Sequence, residues 1–217
     1  MMIDLHTHSF FSDGVLLPAE LVRRAQAEGG YTAMAITDHA GPSNLEHLIE
    51  SLRRFCEAVE GAYGDMVVLP GCELTHVPPS LIPAQIEAAR QAGAAIVLVH
   101  GETLVEPVAP GTNRAAIEGG ADVLAHPGMI DEECVELAAE KGVKLEVSGR
   151  KGHSLTNAHV VKLATAAGAQ MTFGSDGHAP GDYPTRDFAA SILKGAGLDD
   201  AGVEAVFANN ASFFEGI

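Results

Sequence analysis

Residues 94–126 read AAIVLVHGETLVEPVAPGTNRAAIEGGADVLAH. Two continuous apolar runs, Ala94–Val99 and Asp122–Ala125, enclose a helical segment, Thr112–Glu118, that stops at Gly119-Gly120. Strands with one wet face alternate apolar and polar residues; runs that stay apolar are buried on both faces, as in a parallel sheet covered by helices. Each run leads into a histidine, His100 or His126. Strand, helix, strand, with a metal-ligand residue type at the strand's carboxyl end, is the pattern that the rest of the chain repeats.

Five further apolar runs predict strands at Met2–Leu5, Ala33–Thr37, Met66–Leu69, Lys144–Val147 and Gln170–Phe173. Helices are expected between and after them, over Pro18–Glu28, Asn44–Tyr63, Ser80–Ala92, Asp131–Lys141, Thr156–Ala167, Thr185–Lys194 and Asp199–Ala208. Pro18 suits a helix start, and Gly29, Gly64, Gly93, Gly142 and Gly168 suit helix stops. Seven βα repeats with no linker-like stretch predict one α/β domain over residues 1–217 with a parallel sheet. A closed barrel and an open doubly wound sheet both fit that order. No GxGxxG or GxxxxGK[ST] follows a strand, so the nucleotide-binding open sheet lacks its signature.

The residue types that carry chemistry gather just past the strand ends. Strand one runs into His6 and His8, strand two into Asp38 and His39, and strand three into Glu73. His100 and His126 follow strands four and five, Ser148 and Arg150 strand six, and Asp176 and His178 strand seven. Active sites of βα barrels sit on this face because loops from different strands converge there. In an extended segment residues i and i+2 point the same way, so His6 with His8, and Asp176 with His178, can each reach one cation. Alone, HxH reads equally as two surface histidines, and Asp13 as an Asp-Gly turn residue. Repetition around one rim favours metal. Of Asp38 and His39, one suits a ligand and the other its orienter.

The 217 residues carry a formal charge of −16 and are 47% hydrophobic. Such acidity repels nucleic acid and anionic membranes, so a role dominated by long nucleic acid is not expected. Three cysteines, Cys56, Cys72 and Cys134, without CxxC spacing read as free thiols of a reducing cytoplasm. No secretory leader pattern opens MMIDLHTHSF, and no apolar stretch approaches the roughly 20 residues that span a bilayer.

DLHTHSFFSDG, AITDHA, GCELT, the isolated His100 and His126, and GSDGHAP resemble, in order, the motifs of the PHP (polymerase and histidinol phosphatase) family over residues 4–180. The resemblance implies a distorted seven-stranded (β/α)7 TIM-like barrel with a trinuclear metal site at its C-terminal rim. Position by position it implies a first metal held by His6, His8, Glu73 and Asp176. It implies a second held by Glu73, His100 and His126, and a third by Asp13, His39 and His178. The cofactors implied are two or three divalent ions, Zn, Mn or Fe, since His with carboxylate ligands suits all three.

The expected reaction is hydrolysis of a small phosphate monoester, histidinol-phosphate-like or nucleotide-like, by a hydroxide bridging two metals that lower its pKa. Arg150 and Lys151, and more weakly Arg186, are candidates to bind the anionic substrate, Arg bidentately. Arg150, His153 and Asp38 are the candidate catalytic side chains, the latter two as proton donors to the leaving group. Two alternatives stand beside this. Amidohydrolases and TatD-like metal hydrolases also begin with HxH, but with eight strands expected and no ITDH after the second. A non-catalytic metal-binding regulatory barrel would keep a closed coordination shell and turn nothing over.

Overall fold

A computed structural model describes residues 1–216. In chain order the elements are β1 (Met2–Asp4), α1 (Pro18–Gly29), β2 (Tyr31–Ile36), β3 (His39–Ala40), α2 (Leu45–Val59), β4 (Val67–Leu74), α3 (Ile82–Ala92) and β5 (Ile96–His100). There follow α4 (Thr112–Glu118), β6 (Val123–Ala125), α5 (Glu132–Lys141), β7 (Lys144–Ser148), α6 (Asn157–Ala167), β8 (Met171–Gly174), α7 (Arg186–Gly195) and α8 (Asp200–Ala211). Every ladder is parallel, in the order β1-β2-β4-β5-β6-β7-β8, with β3 beside β4. The fold is a nearly closed seven-stranded barrel ringed by eight helices, a distorted (β/α)7 TIM-like barrel.

Two expectations need correction. The third predicted strand, Met66–Leu69, runs on to Leu74, so Glu73 lies inside a strand rather than after it. β4 bends at Pro70: residues 67–70 pair with β2, and residues 71–74 pair with β5. Gly71 sits at that bend because a Cβ there would collide with Ile96 and Thr37. The bend opens a gap beside β2 that the two-residue strand β3 fills, pairing His39 with Glu73. The second predicted helix is shorter than Asn44–Tyr63, and Asn44 does not cap it. Its side chain instead accepts from Gly41 N and donates to the His39 carbonyl, pinning the turn after β3.

Most of the core lies between strands and helices. A smaller cluster inside the barrel comprises Ile3, Leu5, Ala33, Ala35, Leu69, Ile96, Leu98 and Val123, with Phe213 and Phe214 packed against it. Together these leave the lumen filled at its lower end, so polar side chains can collect only at the carboxyl end of the strands.

β1 and β8 form no ladder. Near the rim His8 N donates to the Gly177 carbonyl and Asp176 N to the His6 carbonyl, both at 2.9 Å. Lower down, Asn210 of α8 spans the seam. Its amide donates to the Ile3 and Phe173 carbonyls at 2.9 and 2.7 Å, and its oxygen accepts from Phe173 N at 3.1 Å. The three cysteines are unpaired, with Cys72 and Cys134 buried. Among the described residues no helix is long and apolar enough to cross a membrane.

Candidate active site

Glu73 is the hub of the rim. It is fully buried, and its Oε2 lies 2.8 Å from His39 Nδ1, 3.5 Å from His6 Nε2 and 3.7 Å from His8 Nε2. Its Oε1 lies 3.3 Å from His126 Nε2. Opposite it, Asp176 Oδ1 is 3.3 Å from His8 Nε2 and 3.9 Å from His6 Nε2. A third group sits further out, where Asp13 Oδ1 lies 3.1 Å from His178 Nε2 and 3.4 Å from His39 Nε2. His100 joins them, its ring 4.5 Å from that of His126 between centroids, so all nine residues expected as ligands lie around one mouth. Their donor atoms fall into overlapping groups within 4.8 Å, including His6/His8/Glu73, His6/His126/Asp176 and His8/Asp13/His39/His178.

The local chain is shaped for this convergence. His126 and Asp176 adopt left-handed φ values of 28° and 53°, which non-glycine residues hold only when their surroundings over-determine them. Gly174 lies so close to Glu146 and His6 that a Cβ would displace both.

Electrostatics separates the imidazoles. Burial pulls His8 down to about 3, and burial with His126 does the same to His153. On His39 burial opposes the charge, but Glu73 and Asp13 outweigh it and raise the group to about 10. His6 is likewise raised by Glu146 and Glu73 against its burial. Burial also works against the charged carboxylates, yet the surrounding histidines hold Glu73 and Asp176 well below the usual range. Buried polar atoms normally find partners. Here His6 Nε2, both His8 ring nitrogens, Glu73 Oε1 and His126 Nδ1 have none. Lone pairs from His and carboxylate, buried and facing one another, form the donor set of a divalent-cation site.

The other candidates divide. Arg150 reaches the mouth: its Nη1 donates to the Asp176 carbonyl and lies 2.9 Å from His178 Nδ1, and its Nε is 3.7 Å from Asp176 Oδ2. Lys151 is exposed and lines a cavity of about 450 Å³ beside the cluster, together with Arg150, Asp176, Phe188 and Ile192. His153 also faces the mouth, its Nδ1 2.7 Å from Thr103 Oγ1 and its ring stacked on His126 at 4.1 Å. Burial and the neighbouring His126 favour the neutral form of the His153 ring, in which one nitrogen still carries a hydrogen.

Asp38 and Arg186 correct the sequence reading. Asp38 is engaged by the loop after β1, accepting from Ser9 N, Ser9 Oγ and Ser12 Oγ at 2.6–2.7 Å. It braces the loop that carries Asp13. Arg186 donates to the Met1 carbonyl ahead of β1, pairs with Glu204 and lies over the Phe207 ring. That places it at the amino end of the strands, away from the mouth.

Three residues escaped the sequence reading. Glu146, inside β7, holds His6 Nδ1 at 2.6 Å, and Thr75 holds His39 Nδ1 at the same distance. Glu106, from the loop between β5 and α4, leans over His100.

A parallel βα barrel with a His/carboxylate cluster at its strand-end rim defines the class. The chain belongs to the PHP domain family, whose model matches residues 4–165. It is 45% identical over 205 residues to a Methanocaldococcus jannaschii protein described only as uncharacterized, covering 94% of each chain. It is 26% identical over 253 residues to a 3',5'-nucleoside bisphosphate phosphatase of Chromobacterium violaceum, covering 83% of this chain and 88% of that one. Its fold matches that of a histidinol phosphate phosphatase from Lactococcus lactis subsp. lactis, solved with zinc, L-histidinol and phosphate. That match has a TM-score of 0.62 at 16% identity, over 91% of this chain and 94% of the other.

Proposed function

We propose that the protein is a metal-dependent phosphoesterase acting on a small phosphate monoester. The carrying observation is the set of buried, unpartnered ligand atoms converging on Glu73, with a guanidinium at the lip. Family membership and the phosphatase activity of the Chromobacterium relative support it. His6, His8, Glu73 and Asp176 would hold a first cation, Glu73, His100 and His126 a second, and Asp13, His39 and His178 a third. When bound, such cations supply Lewis acidity and lower the pKa of water at neutral pH.

The chain's own residues do the rest. Glu73 and Asp176, kept ionised, balance charge that would otherwise be costly to bury. Glu146 and Thr75 fix the rings of His6 and His39 through their Nδ1 atoms. Arg150 lines both the cluster and the 450 Å³ cavity, so it can grip a phosphoryl group while the carbon skeleton lies against Phe188 and Ile192. Lys151 adds a local positive charge that draws an anion to an acidic protein.

The test is phosphate release from a panel of monoesters, including histidinol phosphate and nucleotides, with Mn²⁺, Zn²⁺ or Fe²⁺ supplied in turn and diesters as controls. Metal-dependent release from a monoester is expected. No release with metal demonstrably bound overturns the reading.

A further inference from the structure

The nine rim ligands leave one carboxylate of the mouth without a role. Glu106 is not at a strand end; it comes from the loop between β5 and α4. Its Oε2 lies 3.1 Å from His100 Nε2 and 3.4 Å from His76 Nε2, and its Oε1 lies 3.5 Å from His153 Nε2. These three imidazoles are the only polar side-chain partners of this carboxylate among the described residues.

The tautomer of His100 makes this contact informative. Its Nδ1 lies 3.2 Å from the Gly101 carbonyl, which can only accept, so Nδ1 carries the hydrogen. A metal-bound ring must be neutral, and its bare Nε2 lone pair would then face a carboxylate oxygen 3.1 Å away. Two acceptors at that distance repel unless a proton or a metal cation lies between them. Two atoms bound at about 2.0 Å to one tetrahedral cation sit about 3.3 Å apart, and the 3.1 Å between Glu106 Oε2 and His100 Nε2 is close to that value.

The loop is built to hold Glu106 loosely. Its neighbour Glu102 is locked, one oxygen accepting from both Gly111 N and Asn113 N at 3.0 Å. The Glu106 side chain is 38% exposed where that of Glu73 is fully buried, so it can turn out to water without stranding a buried charge. It also borders the 240 Å³ cavity that opens onto the cluster.

We propose that Glu106 is a displaceable ligand of the second cation, the one that Glu73, His100 and His126 would hold, and that the phosphate of the substrate takes its place. Both halves rest on the second metal site proposed above, and the displacement half rests also on the phosphoesterase reading. In the resting protein Glu106 closes the coordination shell against stray anions. A phosphate carries more charge and outcompetes it at the same face.

The test uses Co²⁺ and inorganic phosphate on the full chain, with Glu106→Gln, Glu106→Ala and, as a loop control, Glu102→Gln. In metal-depleted protein titrated with Co²⁺, both Glu106 variants should shift the visible bands and weaken Co²⁺ binding at least about tenfold. Glu102→Gln should leave the bands in place. Phosphate added to wild type should reproduce the band change, and Glu106→Gln should bind phosphate about tenfold more tightly. Bands and affinity unchanged in both Glu106 variants overturn the proposal, and equal phosphate affinity in wild type and variant overturns displacement. Bands that move on substitution, with phosphate silent in every protein, keep Glu106 as a ligand and remove the phosphatase reading instead.

Discussion

Glu146 Oε2 lies 2.6 Å from His6 Nδ1, both side chains buried, so the ring at the end of β1 is aimed from β7, two strands away across the seam. Partners of this kind set the tautomer and raise the basicity of a metal-bound ring. Glu146→Gln keeps an acceptor but loses the charge. It should weaken cation binding at the first site by about 10- to 100-fold while changing KM little. Metal titration of the depleted protein checks it; wild-type affinity would remove Glu146 from the site.

Glu73→Gln should lower metal content by more than one ion per chain and abolish turnover together. One carboxylate faces the rings of both the first and the second proposed sites. Elemental analysis beside the activity assay decides this. Full metal content with normal turnover would sink the ligand assignment.

Arg150 holds Asp176 and His178 and lines both cavities. Arg150→Lys preserves charge but not the fork, and should reduce kcat/KM by about 10- to 100-fold, or about 1.4–2.7 kcal/mol. Arg150→Ala should cost more and raise KM for the monoester. Steady-state kinetics on the best substrate of the panel separates the two.

The pH dependence should differ with and without metal. In the metal-free protein His39 is raised to about 10 against its burial by Glu73 and Asp13. A group with a raised folded-state pKa contributes stability in full below its ordinary value near 6.5, and that contribution is lost as pH rises through about 10. A metal-bound imidazole must be neutral, so proton and cation compete. The rise in Tm on adding metal should therefore grow between about pH 6.5 and 9, as melts with metal or EDTA will report. A constant or shrinking increment would contradict the placement of His39.

Asn210→Ala removes three buried hydrogen bonds across the β1–β8 seam and strands the backbone groups of Ile3 and Phe173. Stability should fall by about 2–4 kcal/mol in urea titrations, because unsatisfied buried groups bear the full desolvation penalty. First-site affinity should fall with it, since β1 and β8 carry His6, His8 and Asp176 to the rim.

The strands and their rim were legible for a simple reason. Runs such as IVLVH admit no wet face, and a histidine that ends one has nowhere to point but the mouth. What stayed hidden depended on direction. Asp38 and His39 are neighbours, and only the bend of β4 with the inserted β3 decides which faces Glu73. Glu146 did leave a trace: KLEVS alternates where the other strands do not, which marks an inward polar face. Glu106 left none, because its loop has no period. Arg186 misled because its distance in sequence from the ligands says nothing about which end of the barrel α7 begins at.

The seam has a consequence for biosynthesis. Glu73, His100 and His126 stand on adjacent strands β4, β5 and β6, which can pair while later residues are still inside the ribosome. His6 and His8 must wait for Asp176 to arrive and for Asn210 to fasten β8 to β1. A chain truncated ahead of β8 would thus keep Glu73, His100 and His126 on neighbouring strands while leaving His6 and His8 without Asp176.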